Sequence, residues 1–231
     1  MIPRWKNIKI ANKIRKNKRL DKQQLQLCYG TLLGDSSINV RANGKCRLKM
    51  CHTEKQREYI EFKKRILEPF ILQQTPTKDI SGKTNPKNFS TATSYHYNTI
   101  VHQDFTNLYG LFYTKINKGK RKQINMNILN LVEPFAILIW YLDDGCYYHD
   151  TRKSSHKLYL STYRYSLPEH KTLKKWFWHK WRIISKISFD KTHNMYYLRF
   201  NKQEIIKFTK LFLEPSKCLI PKCMYYKFPE I

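Results

Sequence analysis

Carboxylates are scarce in this chain, so the places where they stand carry information. Of 231 residues, 17 are Asp or Glu against 44 Lys or Arg. Two apolar stretches each end in an acid beside a glycine: CYGTLLGDS, ending in Gly34-Asp35, and ILIWYLDDG, with Asp143 and Asp144 before Gly145. Both stretches read as helices. A carboxylate at a helix C-terminus opposes the macrodipole, an unfavourable position unless a cation is close by. Gly30 and Gly34 lie four apart and form a flat stripe on which a second helix can rest closely. If the two helices pack side by side, Asp35 and Asp144 meet at one end. Two such carboxylates in a basic protein make an oxygen-ligand site for a divalent cation, most simply Mg²⁺. That ion can activate water and stabilise the leaving oxygen in phosphodiester hydrolysis. Taken one at a time, the same acids could equally be local caps or turn residues.

A second group of residues suggests the substrate. The formal net charge is +27, and such self-repulsion calls for a polyanionic partner, nucleic acid before an anionic membrane. In SINVRANGKCRLKMC the apolar residues Ile38, Val40, Cys46, Leu48 and Met50 alternate with polar ones around Asn43-Gly44, which predicts a hairpin. Matching the apolar faces pairs Val40 with Cys46 and Ile38 with Leu48, leaving a three-residue loop with Gly44 in the left-handed position. The other face of this hairpin carries Asn39, Arg41, Lys45, Arg47 and Lys49 and no acid. A two-stranded ribbon with these side chains fits the DNA major groove, where Arg, Lys and Asn bond base edges. A solvated strand face could also look like this.

The elements that must position these groups occur in a repeated order. Asp21 is a suitable N-cap for a helix over 24–33. The hairpin follows, then an amphipathic helix over 54–68 ending before Pro69, a turn-rich segment over 73–88 that reads as a loop or a short hairpin, a strand over 90–101 and a helix over 105–113. Residues 115–125 read as a basic connector. Glu133-Pro134 then opens a very apolar helix through Leu142. A hairpin over 145–162 turns Leu158 and Leu160 inward and Tyr159 outward. A Trp- and Lys-rich helix over 168–183, a hairpin over 187–200 with Tyr197 and Arg199 outward, and a helix over 203–213 follow, and then the tail KCLIPKCMYYKFPEI. Helix, hairpin, helix, hairpin, helix thus occurs twice, an α+β arrangement rather than a doubly wound sheet. The expected divisions are a basic N-terminal arm (1–20), a first half-domain (21–118), a linker (119–132) and a second half-domain (133–231).

The remaining composition narrows the class. No run of about 18 apolar residues occurs, which excludes a membrane-spanning helix. The basic residues are spread over strands rather than gathered on one amphipathic helix, which argues against a membrane surface. The N-terminus lacks the apolar core of a secretory signal; it suits either a transit peptide or an arm along phosphates. The six cysteines are expected as reduced thiols. Cys46/Cys51 and Cys218/Cys223 share a C-x4-C spacing, but residues five apart on a strand point to opposite faces, against a zinc site. Lys, Asn, Ile, Tyr and Phe dominate, with only seven Gly, a bias that matches AT-rich codons and an organellar genome.

CYGTLLGDS and ILIWYLDDG resemble the two motifs of the LAGLIDADG homing endonucleases, in the monomeric branch that carries both motifs in one chain. The resemblance is strongest to the type encoded by the omega intron of yeast mitochondria, and it covers residues 22–229. It implies tandem αββαββα repeats forming a pseudo-twofold saddle over DNA. It implies Asp35 and Asp144 as catalytic metal ligands, with backbone carbonyls of Gly34 and Asp143 beside them. Lys122 and Lys227 match the basic residue that the family places near each centre. Ile139 and Trp140 stand where many members have small residues, so an asymmetric helix interface is expected. The implied activity is Mg²⁺-dependent double-strand cleavage (Mn²⁺ substituting) across the minor groove of a long site, leaving 3′ overhangs and promoting intron homing. Asn39, Arg41, Lys45, Arg47, Lys49, Tyr159, Tyr197 and Arg199 would contact DNA, from a monomer in a mitochondrion or chloroplast. Two rivals share the fold: a maturase that binds its host intron RNA, and a DNA-binding protein that does not cleave.

Overall fold

The computed structural model describes residues 4–81, 92–117, 119–150 and 155–230. Helix α1 (Arg4–Asn17) and α2 (Lys22–Leu33) lead into strands β1 (Ser37–Val40) and β2 (Cys46–Thr53). Helix α3 (Arg57–Ile66), strands β3 (Thr77–Ser81) and β4 (Ala92–Asn98), and α4 (Gln103–Phe112) follow. A two-stranded ribbon, β5 (Tyr113–Ile116) with β6 (Gly119–Lys122), and α5 (Met126–Leu131) lead to α6 (Pro134–Asp144). The second run is β7 (Gly145–Asp150), β8 (Ser155–Leu160), α7 (Leu167–Trp181), β9 (Lys186–Asp190), β10 (Met195–Phe200) and α8 (Lys202–Phe208). The two four-stranded sheets are antiparallel and have the same order, β1-β2-β4-β3 and β7-β8-β10-β9. The repeat expected from the order of elements is therefore present, with an α+β architecture.

Local chemistry explains the framework. Asp21 and Gln24 form a capping box at the start of α2. Helices α2 and α6 are buried nearly all round, as a helix between two domain halves must be. They pack on each other where Gly30 meets the Ala136 carbonyl and Ile139; a Cβ on Gly30 would stand 2.7 Å from the Ile139 Cβ. The asymmetry expected from Ile139 and Trp140 is thus accommodated: the small residue is on one helix and the large one on the other. Gln26 joins the halves again, donating to the Leu131 carbonyl (2.9 Å) and accepting from the Glu133 N–H (2.9 Å).

In the first hairpin Val40 pairs with Cys46 and Ile38 with Leu48, and Gly44 has φ +74°, as the alternation requires. Val40, expected inward, ends its strand and is exposed. The intervening segments carry further elements. The part of the turn-rich segment that is described holds β3, paired to β4; residues 82–88 lie outside the described residues. The basic connector is the β5–β6 ribbon, in which Tyr113 pairs with Lys122. Residues 119–132, read as a linker, hold β6 and α5. The basic arm is α1, docked through buried Ala11 and Ile14 and by Arg15, which donates to the Val101 carbonyl (2.9 Å). Ala11 and Ile14 are three apart on one helix face, a short apolar stripe hidden among lysines.

Candidate active site and nucleic-acid interface

Because α2 and α6 lie together, their C-terminal acids converge. Asp35 stands exposed and Asp144 half-buried beside it, near enough that each shifts the ionisation of the other. Burial, and then the charge of Asp35, pushes Asp144 up to about 7. Asp35 is also raised, by burial first and then by Asp143. Two like charges so placed cannot both ionise cheaply without a cation. Asp144 Oδ2 is buried and has no hydrogen-bond partner, an oxygen left over for such an ion.

The two lysines singled out in the sequence reach this place from distant segments. Lys122, at the end of β6, donates to the Gly34 carbonyl (2.9 Å). Lys227, in a 3-10 turn over Lys222–Lys227, donates to the carbonyls of Leu142 (2.6 Å) and Asp143 (3.0 Å). Burial, followed by repulsion from Arg164, lowers Lys122 to about 7; burial also lowers Lys227. Each lysine thus sits at the carbonyl of the residue preceding one acid. Around Asp35 and Asp144 stand carboxylate and carbonyl oxygens, hard donors that suit Mg²⁺ or Mn²⁺.

Several residues here escape a reading of the sequence. Arg164, in the turn after β8, donates to the Gly34 carbonyl (3.1 Å); nothing in its local sequence marks it. The Asp143 side chain turns inward, away from a ligand role, while its carbonyl faces Lys227. Lys63 donates to both Asp143 carboxylate oxygens (2.7 and 2.9 Å), and both side chains are fully buried. Thr31 and Tyr59 donate to the same carboxylate (2.9 Å each), and Lys63 also bonds His52 Nε2 (2.9 Å). Burial alone would raise Asp143; the Lys63 ammonium holds it below the usual range. Burial, then Lys63, lowers His52 to about 3, so it is neutral. Asp35, His52 and Asp143 offer ligand atoms within 4.8 Å of one another, but Lys63 fills the space between His52 and Asp143. A sequence signal for this lock does exist: Lys63 continues the buried stripe Tyr59, Ile60, Phe62 of an amphipathic helix.

The expected DNA-contacting residues lie on the outward faces of the two sheets. Asn39, Arg47 and Lys49 alternate with buried Ile38, Cys46, Leu48 and Met50, and exposed Arg41 and Lys45 flank the turn. Strand β3 adds an acid next to this face: Asp79 lies 3.7 Å from Lys49 and 2.7 Å from His96. In the second sheet Arg199 pairs with Tyr159, and the Tyr159 and Tyr197 rings meet edge to face at 5.5 Å. The first face is therefore mainly basic and the second mainly aromatic. The six cysteines are free thiols. No helix among the described residues is long and apolar enough to cross a membrane.

Comparison with known proteins bears on the family and the fold. Residues 25–208 match the family described as "LAGLIDADG DNA endonuclease family". Cytochrome b mRNA maturase bI2 of Debaryomyces hansenii is 29% identical over 213 residues, 90% of this chain and 77% of that protein. DNA endonuclease I-ChuI of Chlamydomonas applanata is 26% identical over 132 residues, 54% of this chain and 59% of that protein, so the match spans less than two thirds of it. The homing endonuclease I-WcaI bound to its DNA recognition sequence superposes with a TM-score of 0.81 at 22% identity, over 99% of this chain and 95% of that one; the two share a fold.

Proposed function

The chain belongs to the LAGLIDADG DNA endonuclease family, and from that premise we propose that it is a site-specific DNA endonuclease that cuts both strands of a long target. The observation that carries this reading is the meeting of Asp35 and Asp144, one from each half, with Lys122 and Lys227 at the carbonyls beside them. Duplex DNA would lie across the outward faces of the two sheets, with Asn39, Arg41, Lys45, Arg47, Lys49, Tyr159, Tyr197 and Arg199 against phosphates and base edges. Asp35 and Asp144, with the Gly34 and Asp143 carbonyls, would hold Mg²⁺ or Mn²⁺. When bound, such an ion polarises water and neutralises charge on the scissile phosphate. Lys122 and Lys227 are buried ammonium groups aimed at the same place; they can orient the attacking water and exchange a proton with it or with the departing oxygen.

Cleavage across the minor groove with 3′ overhangs, intron homing and action as a monomer complete the reading. An organellar setting, with the mitochondrion favoured, is supported by the AT-rich-codon composition and by a relative named for the cytochrome b transcript. That relative, matched over 90% of the chain and named an mRNA maturase, also supports a second reading, assistance to the splicing of a host intron RNA.

The test starts from a duplex library with randomised positions, selected for cut molecules in Mg²⁺. Asp35→Asn and Asp144→Asn should each abolish cutting of the selected site and keep its binding. Lys122→Met and Lys227→Met should slow cutting at one strand each. Unaltered cutting in both aspartate variants would remove these residues from the chemistry. Selection of binders with no cut product from the unmodified protein would favour a non-cleaving protein or the maturase reading, which binding to an intron transcript separates.

A further inference from the structure

Helix α7 has two faces. Leu173, Trp176 and Phe177 are buried, and Phe177 meets Phe200 of β10 edge to face at 5.5 Å. The opposite face presents Lys171, Lys174, Lys175 and Trp178, which recur at helical spacing and are all exposed. Between this face and the turn into β9 lies a cavity of about 480 Å³. That is within the range of small-ligand pockets, roughly 300–1,000 Å³. Its lining is mostly apolar, from Trp178 (44% exposed) and Ile184 (47% exposed), with the three lysines around it. The Arg182 guanidinium lies 5.5 Å over the Trp178 ring. Among the described residues, no carboxylate lines the cavity. Ser185 also lines it; this residue is fully buried, and its hydroxyl has no hydrogen-bond partner.

A large exposed indole and a set of ammonium groups without acids describe a ligand with a flat ring and negative charge. We propose that this cavity is a second nucleic-acid site, which takes an unpaired nucleotide of single-stranded RNA. The base stacks on Trp178, and the flanking phosphates lie on Lys171, Lys174 and Lys175. A duplex cannot use the site, because its bases are paired and stacked, whereas RNA loops and bulges present splayed bases. The cavity lies on the outer side of α7, whose inner side packs through Phe177 on Phe200, whereas Tyr197 and Arg199 lie on the opposite face of β10. Both nucleic acids can then bind at once. The proposal deepens the RNA-binding reading given above and rests on it, while standing apart from the cleavage reading and needing no metal.

The experiment uses the full chain in EDTA at about 150 mM salt, with a 15-nucleotide oligouridylate carrying 5-iodouridine as probe. A large excess of duplex DNA fills the saddle. Irradiation should cross-link the probe to the peptide containing Trp178. Trp178→Ala should weaken probe binding at least about fivefold, from the loss of one stacked base, and leave duplex binding unchanged. Lys174→Glu with Lys175→Glu, both on the exposed face, should lower the slope of log affinity against log salt by roughly 1.4 for the probe alone. Cross-links that map to the sheets, full displacement by duplex DNA, or unchanged probe affinity in both variants would overturn the proposal.

Discussion

At the scale of single residues, the chain contrasts acids that want a cation with one that already has it. Asp144 is pushed up to about 7 by burial and by Asp35, and keeps an unpartnered oxygen. Asp143, the next residue, is held by Lys63, Thr31 and Tyr59. Breaking a buried pair leaves one charge uncompensated, so Lys63→Met should cost about 3–5 kcal/mol of unfolding free energy. Adding Asp143→Asn should recover much of that loss, because it removes the uncompensated buried charge, although the single amide oxygen can accept from only one of Thr31 and Tyr59, which donate to different carboxylate oxygens. Urea unfolding of the two single variants and the double closes the cycle. Additive losses would mean that the pair acts as two unrelated packing residues. Glu169 offers a pH test. Burial would raise it, but Ser166, the Ile124 N–H and Arg121 bond the charged form and the net shift is downward. A depressed carboxyl contributes stability that is present above the unfolded value of about 4.3 and is lost as pH falls through the folded value. Glu169→Gln should therefore narrow the gap in stability to the unmodified protein as pH falls below about 4, and a gap that stays constant with pH would refute the assignment.

At the scale of elements, the α2–α6 contact decides everything above it. Gly30 rests on the Ala136 carbonyl with no room for a methyl group, and a Cβ at Gly34 would stand 2.5 Å from the Asp143 Cβ. Gly30→Ala should cost about 1–3 kcal/mol through overpacking, read from thermal unfolding, and should also disturb the acid pair. A neutral result would show that the two helices slide freely. The β5–β6 ribbon is the other decisive element. It carries Lys122 to the Gly34 carbonyl, 88 positions earlier in the chain, and Arg121 to Glu169. The segment reads as a flexible basic connector because its residues are nearly all polar; only the pairing of Tyr113 with Lys122 gives it a direction.

At the scale of the whole molecule, a +27 chain spreads its charge over two sheets and the back of α7. If the first sheet and its flanks engage six to ten phosphates, the slope of log affinity for duplex DNA against log salt should be about −5 to −9. Fluorescence anisotropy over a salt series measures it. A slope near zero would mean that the basic face does not hold the backbone. The two faces differ in kind, one rich in Arg and Lys and the other in Tyr, so charge-removing variants of the first should reduce this slope more than variants of the second.

Patterns set by neighbours along the chain are legible in the order of residues by itself. Alternation around Asn43-Gly44 determines the hairpin register, because a slip of one residue would expose Ile38, Leu48 and Met50 together. The scarcity of acids marks Asp35 and Asp144, because a carboxylate at a helix C-terminus needs a reason. The tertiary structure alone decides which cations reach them. Among 44 Lys and Arg, the motif resemblance points to Lys122 and Lys227 and the buried stripe of α3 to Lys63, but only packing marks Arg164 and shows which oxygen each of the four reaches. The docking of α1 is hidden for the same reason: it depends on surfaces brought together from distant segments, as where Arg15 meets the Val101 carbonyl, and distance along the chain carries no record of that meeting.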